Sequence, residues 1–243
     1  MIVEGSLSVK AALQCGRRTV YRLLIDEKKK DRDTGYILYL AKEMNVPVVR
    51  LKREELDAMA SGRTHGGVLA ETGERAYQDL TICLDDKTPF VVFLEGIEDP
   101  FNLGYIARTL AAVGCSGLMM PKRDFSYSEP VILKSSAGAS ERINWIMSEH
   151  PVEDIQTLKK AGLACICAYR DQAKDMYETD FTQPLILCIG GEMRGLSRDV
   201  LKESDQNMVI PYSTDFRNAL NASSAAAAIC FEAQRQRIKG ETK

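Results

Sequence analysis

Three short segments of this chain place polar or glycine residues directly behind apolar runs. That is where an open α/β sheet presents its ligand site. The first, residues 95–108, reads Glu-Gly-Ile-Glu-Asp-Pro-Phe-Asn-Leu-Gly-Tyr-Ile-Ala-Arg. Asn102 has a side chain suited to capping a helix. Arg108 follows inside that helix among Ile106, Ala107, Leu110 and Ala111. An arginine in such a setting either snorkels to water or serves an electrostatically special pocket. The second, residues 187–197, ends an apolar run in Gly190 and Gly191, followed by Glu192 and Gly195. Glycines let a ligand approach the main chain closely. Neither the dinucleotide glycine spacing nor a phosphate-binding Lys-Ser/Thr pair is present, so on its own this segment reads more readily as a turn. In the third, an extended run stops at Ile210-Pro211-Tyr212, and Arg217-Asn218-Ala219-Leu220-Asn221-Ala222-Ser223 leads into an alanine-rich helix. Asn221 and Ser223 are ordinary N-terminal helix residues, and the alanines accord with helix propensity.

The surrounding periodicity supplies the elements that must position these segments. Residues 1–80 predict a compact α/β/α domain. It has helices at 8–15, 34–44 and 53–60, strands at 20–25 and 46–51, a polar glycine-rich loop at 61–67 and the apolar run Val68-Leu69-Ala70. Residues 81–88 read as a linker. From 89 onward, apolar strands near 90–94, 117–120, 143–147, 163–168, 185–189 and 208–210 alternate with helices near 102–113, 131–139, 152–161 and 220–238. Such alternation predicts a mostly parallel sheet with helices on both faces.

Composition narrows the class. The 243 residues are 45% apolar and 27% charged, ordinary values for a globular chain. No apolar run reaches membrane-spanning length and the start of the chain lacks a signal-peptide pattern, which predicts a cytosolic protein. Seven cysteines lack zinc-ligand spacing, even the Cys165/Cys167 pair, and predict reduced core thiols and no metal. The net charge of −2 gives no global basic signature. Residues 1–80 hold 14 Lys/Arg against 12 Asp/Glu, and the one dense basic stretch is Arg17, Arg18, Arg22, Lys28, Lys29, Lys30 and Arg32. Interleaved acids dilute it, so charge alone does not point to nucleic acid.

In combination and in this order, the three segments resemble the three motifs of SpoU/TrmH-type RNA methyltransferases of the SPOUT superfamily. Asn102, Gly104 and Arg108 match the first motif. Gly190, Glu192 and Gly195 match the second. Ile210-Pro211 and Leu220-Asn221-Ala222-Ser223 match the third, with the Glu232…Arg235-Gln236-Arg237 ending common in relatives. The front half resembles, more weakly, the L30e-like substrate-binding domain, through residues 8–13 and 65–70. Departures are Ala222 for the usual valine, Tyr212 for methionine, and a loop before Leu220 that is one residue longer.

The resemblance implies a parallel sheet whose C-terminal chain threads a trefoil knot, and a homodimer with the site near its interface. It implies S-adenosylmethionine held by backbone around Gly190, Gly191, Gly195, Ile210, Pro211, Leu220 and Ser223. It further implies ribose 2′-O-methylation of RNA, ribosomal before transfer RNA, with Arg108, Asn102, Glu192 and Asn221 at the reacting centre. An arginine stays protonated, so Arg108 is expected to act by its charge. RNA docking would fall to Arg17, Arg18, Lys28, Lys29, Lys30, Arg63 and His65. The alternatives are a SPOUT enzyme acting on a base nitrogen and a non-catalytic RNA-binding module; the Asn102/Arg108 motif weighs against the first, and retention of Asn102, Arg108, Glu192 and Asn221 together against the second.

Overall fold

The structure is a computed structural model that describes residues 1–62, 64–215 and 218–241. In chain order the first elements are β1 (Ile2–Glu4), α1 (Ser6–Cys15), β2 (Val20–Asp26), α2 (Arg32–Glu43), β3 (Val48–Leu51), α3 (Arg53–Met59) and β4 (Val68–Thr72). Then come β5 (Phe90–Glu95), α4 (Pro100–Val113), β6 (Gly117–Pro121), α5 (Glu129–Ser135), β7 (Trp145–Ser148) and α6 (Pro151–Lys160). The remainder are β8 (Ala164–Ala168), β9 (Lys174–Asp175), β10 (Leu185–Gly190), α7 (Arg198–Lys202), β11 (Gln206–Val209) and α8 (Ala222–Glu241). They form two compact units. The front unit is Met1–Ala76 with Asp124–Arg142, and the second is Tyr77–Arg123 with Ile143–Lys243.

The front unit is a four-stranded sheet in the order β1-β4-β2-β3, with β2–β3 parallel and β4 antiparallel to both β1 and β2. Alternation along β2 sends Leu23 and Ile25 to one face and Leu24 to the other. Val9 and Leu13 of α1, Ile37 and Ala41 of α2 and Leu133 of α5 cover the first face, and Leu56 of α3 covers the second. This is the α/β/α sandwich expected, with the edge strand β1 added to it. Asp31 caps α2 by accepting from the Thr34 amide at 3.0 Å, and Gly16 ends α1 in the left-handed conformation.

The segment 124–142, which periodicity alone groups with the second half, packs in the front unit. Gly138, at φ +82°, brings its turn so close to α1 that a Cβ there would stand 2.7 Å from Ala11 Cβ. Beside it lies a buried cluster of four charges. Arg18 Nη2 stands 2.5 Å from Glu129 Oε1 and 2.7 Å from Glu141 Oε1. Arg75 Nη2 reaches the same two oxygens at 2.5 and 3.0 Å, and its Nη1 donates to the Ser140 carbonyl.

This burial corrects two expected RNA contacts. Arg18 is buried, its guanidinium shared between Glu129 and Glu141. His65 is fully buried, its Nε2 2.7 Å from Asp57 Oδ1 and its Nδ1 accepting from the Gly67 amide at 3.3 Å. Arg18→Met leaves two buried carboxylates facing Arg75 alone. It should lower unfolding stability by about 3–5 kcal/mol, the typical cost of removing one partner of a buried pair. Urea unfolding followed by circular dichroism measures it, and an unchanged midpoint would remove the cluster from the account of this unit's stability.

The second unit is a seven-stranded sheet ordered β7-β6-β5-β10-β8-β11-β9, with every pairing parallel. β5, β6, β8 and β10 read as nearly continuous apolar runs because helices cover both faces, while β11 and β9 at one edge carry polar residues. Ile155 and Leu158 of α6 and Val200 of α7 pack on Val91, Phe93, Ile186 and the Cys165, Cys167 and Cys188 thiols. On the other face α4 packs against α8, and α8 against β10. Arg237 anchors the end of α8 by donating to the carbonyls of Thr88, Phe181 and Gln183, and it lies 5.0 Å over the Phe90 ring. Among the described residues no helix is long and apolar enough to cross a membrane.

Candidate active site

Strands β8, β10 and β11 end on one side of the parallel sheet, and the loops that follow enclose a cavity of about 670 Å³. Ile189, Leu196, Ile210, Leu220 and Ile229 give it apolar walls, and Tyr169, Glu192, Tyr212 and Asn218 add polar groups. Size and lining suit one nucleoside-sized ligand.

The glycine segment turns more tightly than any other residue type would allow. The Gly191 amide donates to the Glu95 carbonyl at 2.7 Å, and the Gly195 amide to the Gly191 carbonyl at 2.9 Å. A Cβ on Gly190 would overlap the Gly195 carbonyl carbon, and one on Gly191 would overlap the Gly96 carbonyl oxygen. Gly190, Gly191 and Gly195 line the cavity, so the main chain of this turn is itself one of its walls. Glu95 Oε2 accepts from the Ser197 amide at 2.7 Å and holds the far end of the turn.

The three motifs meet at the start of α8. Glu192 Oε1 accepts from the Ala222 amide at 3.0 Å, joining second to third. The Ser223 hydroxyl lies 3.2 Å from Asn102 Oδ1 and 3.1 Å from Asn221 Oδ1, joining first to third. Asn221 Oδ1 also accepts from the Ser224 amide at 2.8 Å, so it caps α8. Asn102, in contrast, does not cap α4. Asp99 does, accepting from the Phe101 and Asn102 amides, with Pro100 in the first turn, and this leaves the Asn102 amide group directed at Ser223.

Arg108 stands apart from this convergence. It is exposed on α4, on a stripe with Phe101 and Tyr105, and does not line the cavity. Ile210, Pro211 and Leu220 do line it. Tyr212, a departure from the family pattern, accepts from the Leu220 amide at 3.1 Å and braces the longer loop. Of the residues expected to meet RNA, Lys28 and Lys30 are exposed, Arg17 is half-buried, Lys29 pairs with Asp31 at 2.6 Å, and Arg63 lies outside the described residues. Those that are described belong to the front unit. Glu95, Tyr212 and Asp99 are positioning residues that sequence reading missed; only Asp99, directly before Pro100, carried a local signal. Spacing also missed that Cys188 joins Cys165 and Cys167, with the three Sγ atoms within 4.8 Å of one another inside the core.

Residues 89–231 match the profile of the SpoU rRNA Methylase family, and residues 2–78 that of RNA 2'-O ribose methyltransferase substrate binding. The chain is 30% identical over 241 residues to the 23S rRNA (guanosine-2'-O-)-methyltransferase RlmB of Pseudomonas putida, covering 97% of this chain and 96% of that one. Among solved structures, the SpoU methyltransferase AviRb of Streptomyces viridochromogenes in complex with AdoMet superposes with a TM-score of 0.82 at 26% identity, covering 98% of this chain and 90% of that one. The TrmH/SpoU tRNA modifying enzyme of A. aeolicus superposes with a TM-score of 0.57 at 25% identity, over 67% of this chain and 82% of that one.

Proposed function

The chain belongs to the SpoU rRNA methylase family, and we propose on that premise how it works as an S-adenosylmethionine-dependent RNA ribose 2′-O-methyltransferase. The observation that carries the reading is the meeting of all three motifs at the mouth of α8, through Glu192 to Ala222 and Ser223 to Asn102, beside a cavity walled by a glycine turn. The cavity fits the cofactor: a side chain on Gly190 or Gly191 would fill the turn that forms its wall, and its apolar sides suit an adenosine and a methionine chain. When bound, S-adenosylmethionine supplies an electrophilic sulfonium methyl group.

The chain's own residues then have separable tasks. Backbone at Gly190, Gly191, Gly195, Ile210, Pro211 and Leu220 holds the cofactor. Glu192 is already committed through one oxygen to α8, so its carboxylate keeps a fixed orientation. Asn102, Asn221 and Ser223 form a short polar relay that orients the ribose. Arg108 supplies positive charge beside the 2′-oxygen as its proton passes to solvent, and holds the neighbouring phosphate.

Arg108 reaches that position in a homodimer. Its stripe on α4 exposes Phe101 and Tyr105, and α8, packed against α4, exposes Phe231 and Ile238. Four large exposed side chains on two packed helices support a pairing face. The threaded C-terminus belongs to the same reading, supported by the second motif's grip on the start of α8. Ribosomal RNA is the proposed substrate, supported by the name of the Pseudomonas putida relative, and the compartment is the cytosol. Arg17, Lys28 and Lys30 remain as front-unit contacts to RNA phosphates.

Tritiated methyl transfer from S-adenosylmethionine into ribosomal and transfer RNA, followed by nucleoside mass analysis, tests the reading. A 2′-O-methylated nucleoside from ribosomal RNA is expected. A methylated base nitrogen, or cofactor binding without transfer to any RNA, would overturn it.

A further inference from the structure

We propose that the front unit carries a stacking platform for unpaired RNA nucleotides, built on Tyr36 and Tyr39 of α2 with Gln14 and Arg142 beside them. This rests on the reading of the chain as an RNA methyltransferase. It adds which part of the substrate the front unit takes: a single-stranded stretch, and not a duplex.

Helix α2 turns Thr34, Ile37 and Ala41 inward. Tyr36 and Tyr39 therefore sit on its outer side, 44% and 55% exposed. Their rings stack with centroids 6.2 Å apart and planes 21° from parallel. Gln14 Nε2 of α1 donates to the Tyr36 hydroxyl at 3.2 Å, and Arg142 Nη2 donates to Gln14 Oε1 at 2.9 Å. Phenol, amide and guanidinium thus form one hydrogen-bonded line on the surface of a single compact unit. On α2 itself Asp33 and Glu43 offset Arg32 and Lys42, so the added positive charge comes from Arg142 and from Lys10, one helical turn before Gln14.

This combination has a specific chemistry. Every nucleobase has a π-face, so an exposed tyrosine ring takes an unstacked base whatever its identity, while an adjacent arginine meets the phosphate. A duplex keeps its base faces occupied and offers such rings nothing. A flat protein partner would not call for a guanidinium tied into line with the phenol, so charge complementarity favours RNA.

The test uses full-length protein and two fluorescent probes, a uridine decamer and a hairpin duplex, read by anisotropy. A second decamer carries one 2-aminopurine, whose fluorescence is quenched on stacking. Wild type should prefer the decamer and quench the aminopurine. Tyr36→Ala/Tyr39→Ala should weaken decamer binding about 100-fold and abolish quenching, while duplex binding stays within about twofold. Tyr36→Phe/Tyr39→Phe should keep both signals, and Arg142→Gln should lower the salt dependence of decamer binding by about one phosphate contact.

Decamer affinity and quenching unchanged in the double alanine variant would overturn the platform. So would a halved sedimenting mass, which would assign the tyrosines to contact between two copies. Methyl transfer is read in parallel. Its absence with decamer binding intact sinks the enzymatic reading alone, and its presence with decamer binding indifferent to the tyrosines sinks the platform alone.

Discussion

Gly191→Ala is expected to weaken S-adenosylmethionine binding about 100-fold, the affinity equivalent of the roughly 3 kcal/mol that overpacking can cost. The reason is steric and local. The new Cβ would overlap the Gly96 carbonyl oxygen, a backbone atom with no rotamer to give way. Relief requires the 190–195 turn to move off the 95–96 backbone, which breaks the Gly191 amide bond to the Glu95 carbonyl. Glu192 then leaves the Ala222 amide, so the start of α8 loses its register with the cavity. Gly35→Ala is the informative contrast. Nothing lies within 4 Å of its Cβ position, and it sits inside α2 with ordinary helical backbone. That change should be neutral or stabilise by up to about 1 kcal/mol. Calorimetric titration of the cofactor into both variants, with thermal melts alongside, measures the pair. Wild-type affinity in Gly191→Ala would show that the ligand is not held through this turn.

The parts of this molecule legible in the sequence are those whose signal is local. Strands such as β5 and β10 announce themselves because a parallel sheet buried on both faces demands unbroken apolar runs. β1 went unread because three residues carry no period. The start of α4 was legible too, but Asp99 and Asn102 are both capping types, and only Pro100 in the first turn favours the former. Long-range pairing was invisible. Arg18 looked like one charge in a basic stretch because its partners Glu129 and Glu141 lie 111 and 123 residues away. The same holds for the 124–142 segment, whose helix is obvious and whose host unit is decided by contacts distant in sequence. At the site, the glycines, proline and amides marked three segments, and only their resemblance to the family motifs, taken in order, joined them. Glu95 and Tyr212 brace that assembly through backbone amides of Ser197 and Leu220, and neither bond leaves a mark on local composition.

Arg108→Ala is expected to lower kcat by about 10²–10³, the cost of removing one charge-stabilising donor, while leaving cofactor affinity within about twofold because the lost interaction is not one made to the bound cofactor. The structure separates these two effects in advance. Arg108 does not line the cavity, and it is exposed on α4, where alanine is at least as good a helix former. Loss of turnover could then be ascribed neither to unfolding nor to an empty cofactor site. Arg108→Lys distinguishes geometry from charge. If a planar bidentate grip on the phosphate is what counts, lysine, a point charge, should recover less than about one-tenth of the lost rate. Near-complete recovery would reduce the role to a local positive potential. The dimer proposal enters through Phe101 and Tyr105 on the same stripe. Phe101→Asp/Tyr105→Asp, read by sedimentation equilibrium and turnover together, should produce a monomer with the cofactor affinity of wild type and the low kcat of Arg108→Ala. A monomer that turns over at the wild-type rate would place Arg108 at work within its own chain, and the exposed stripe would need another explanation.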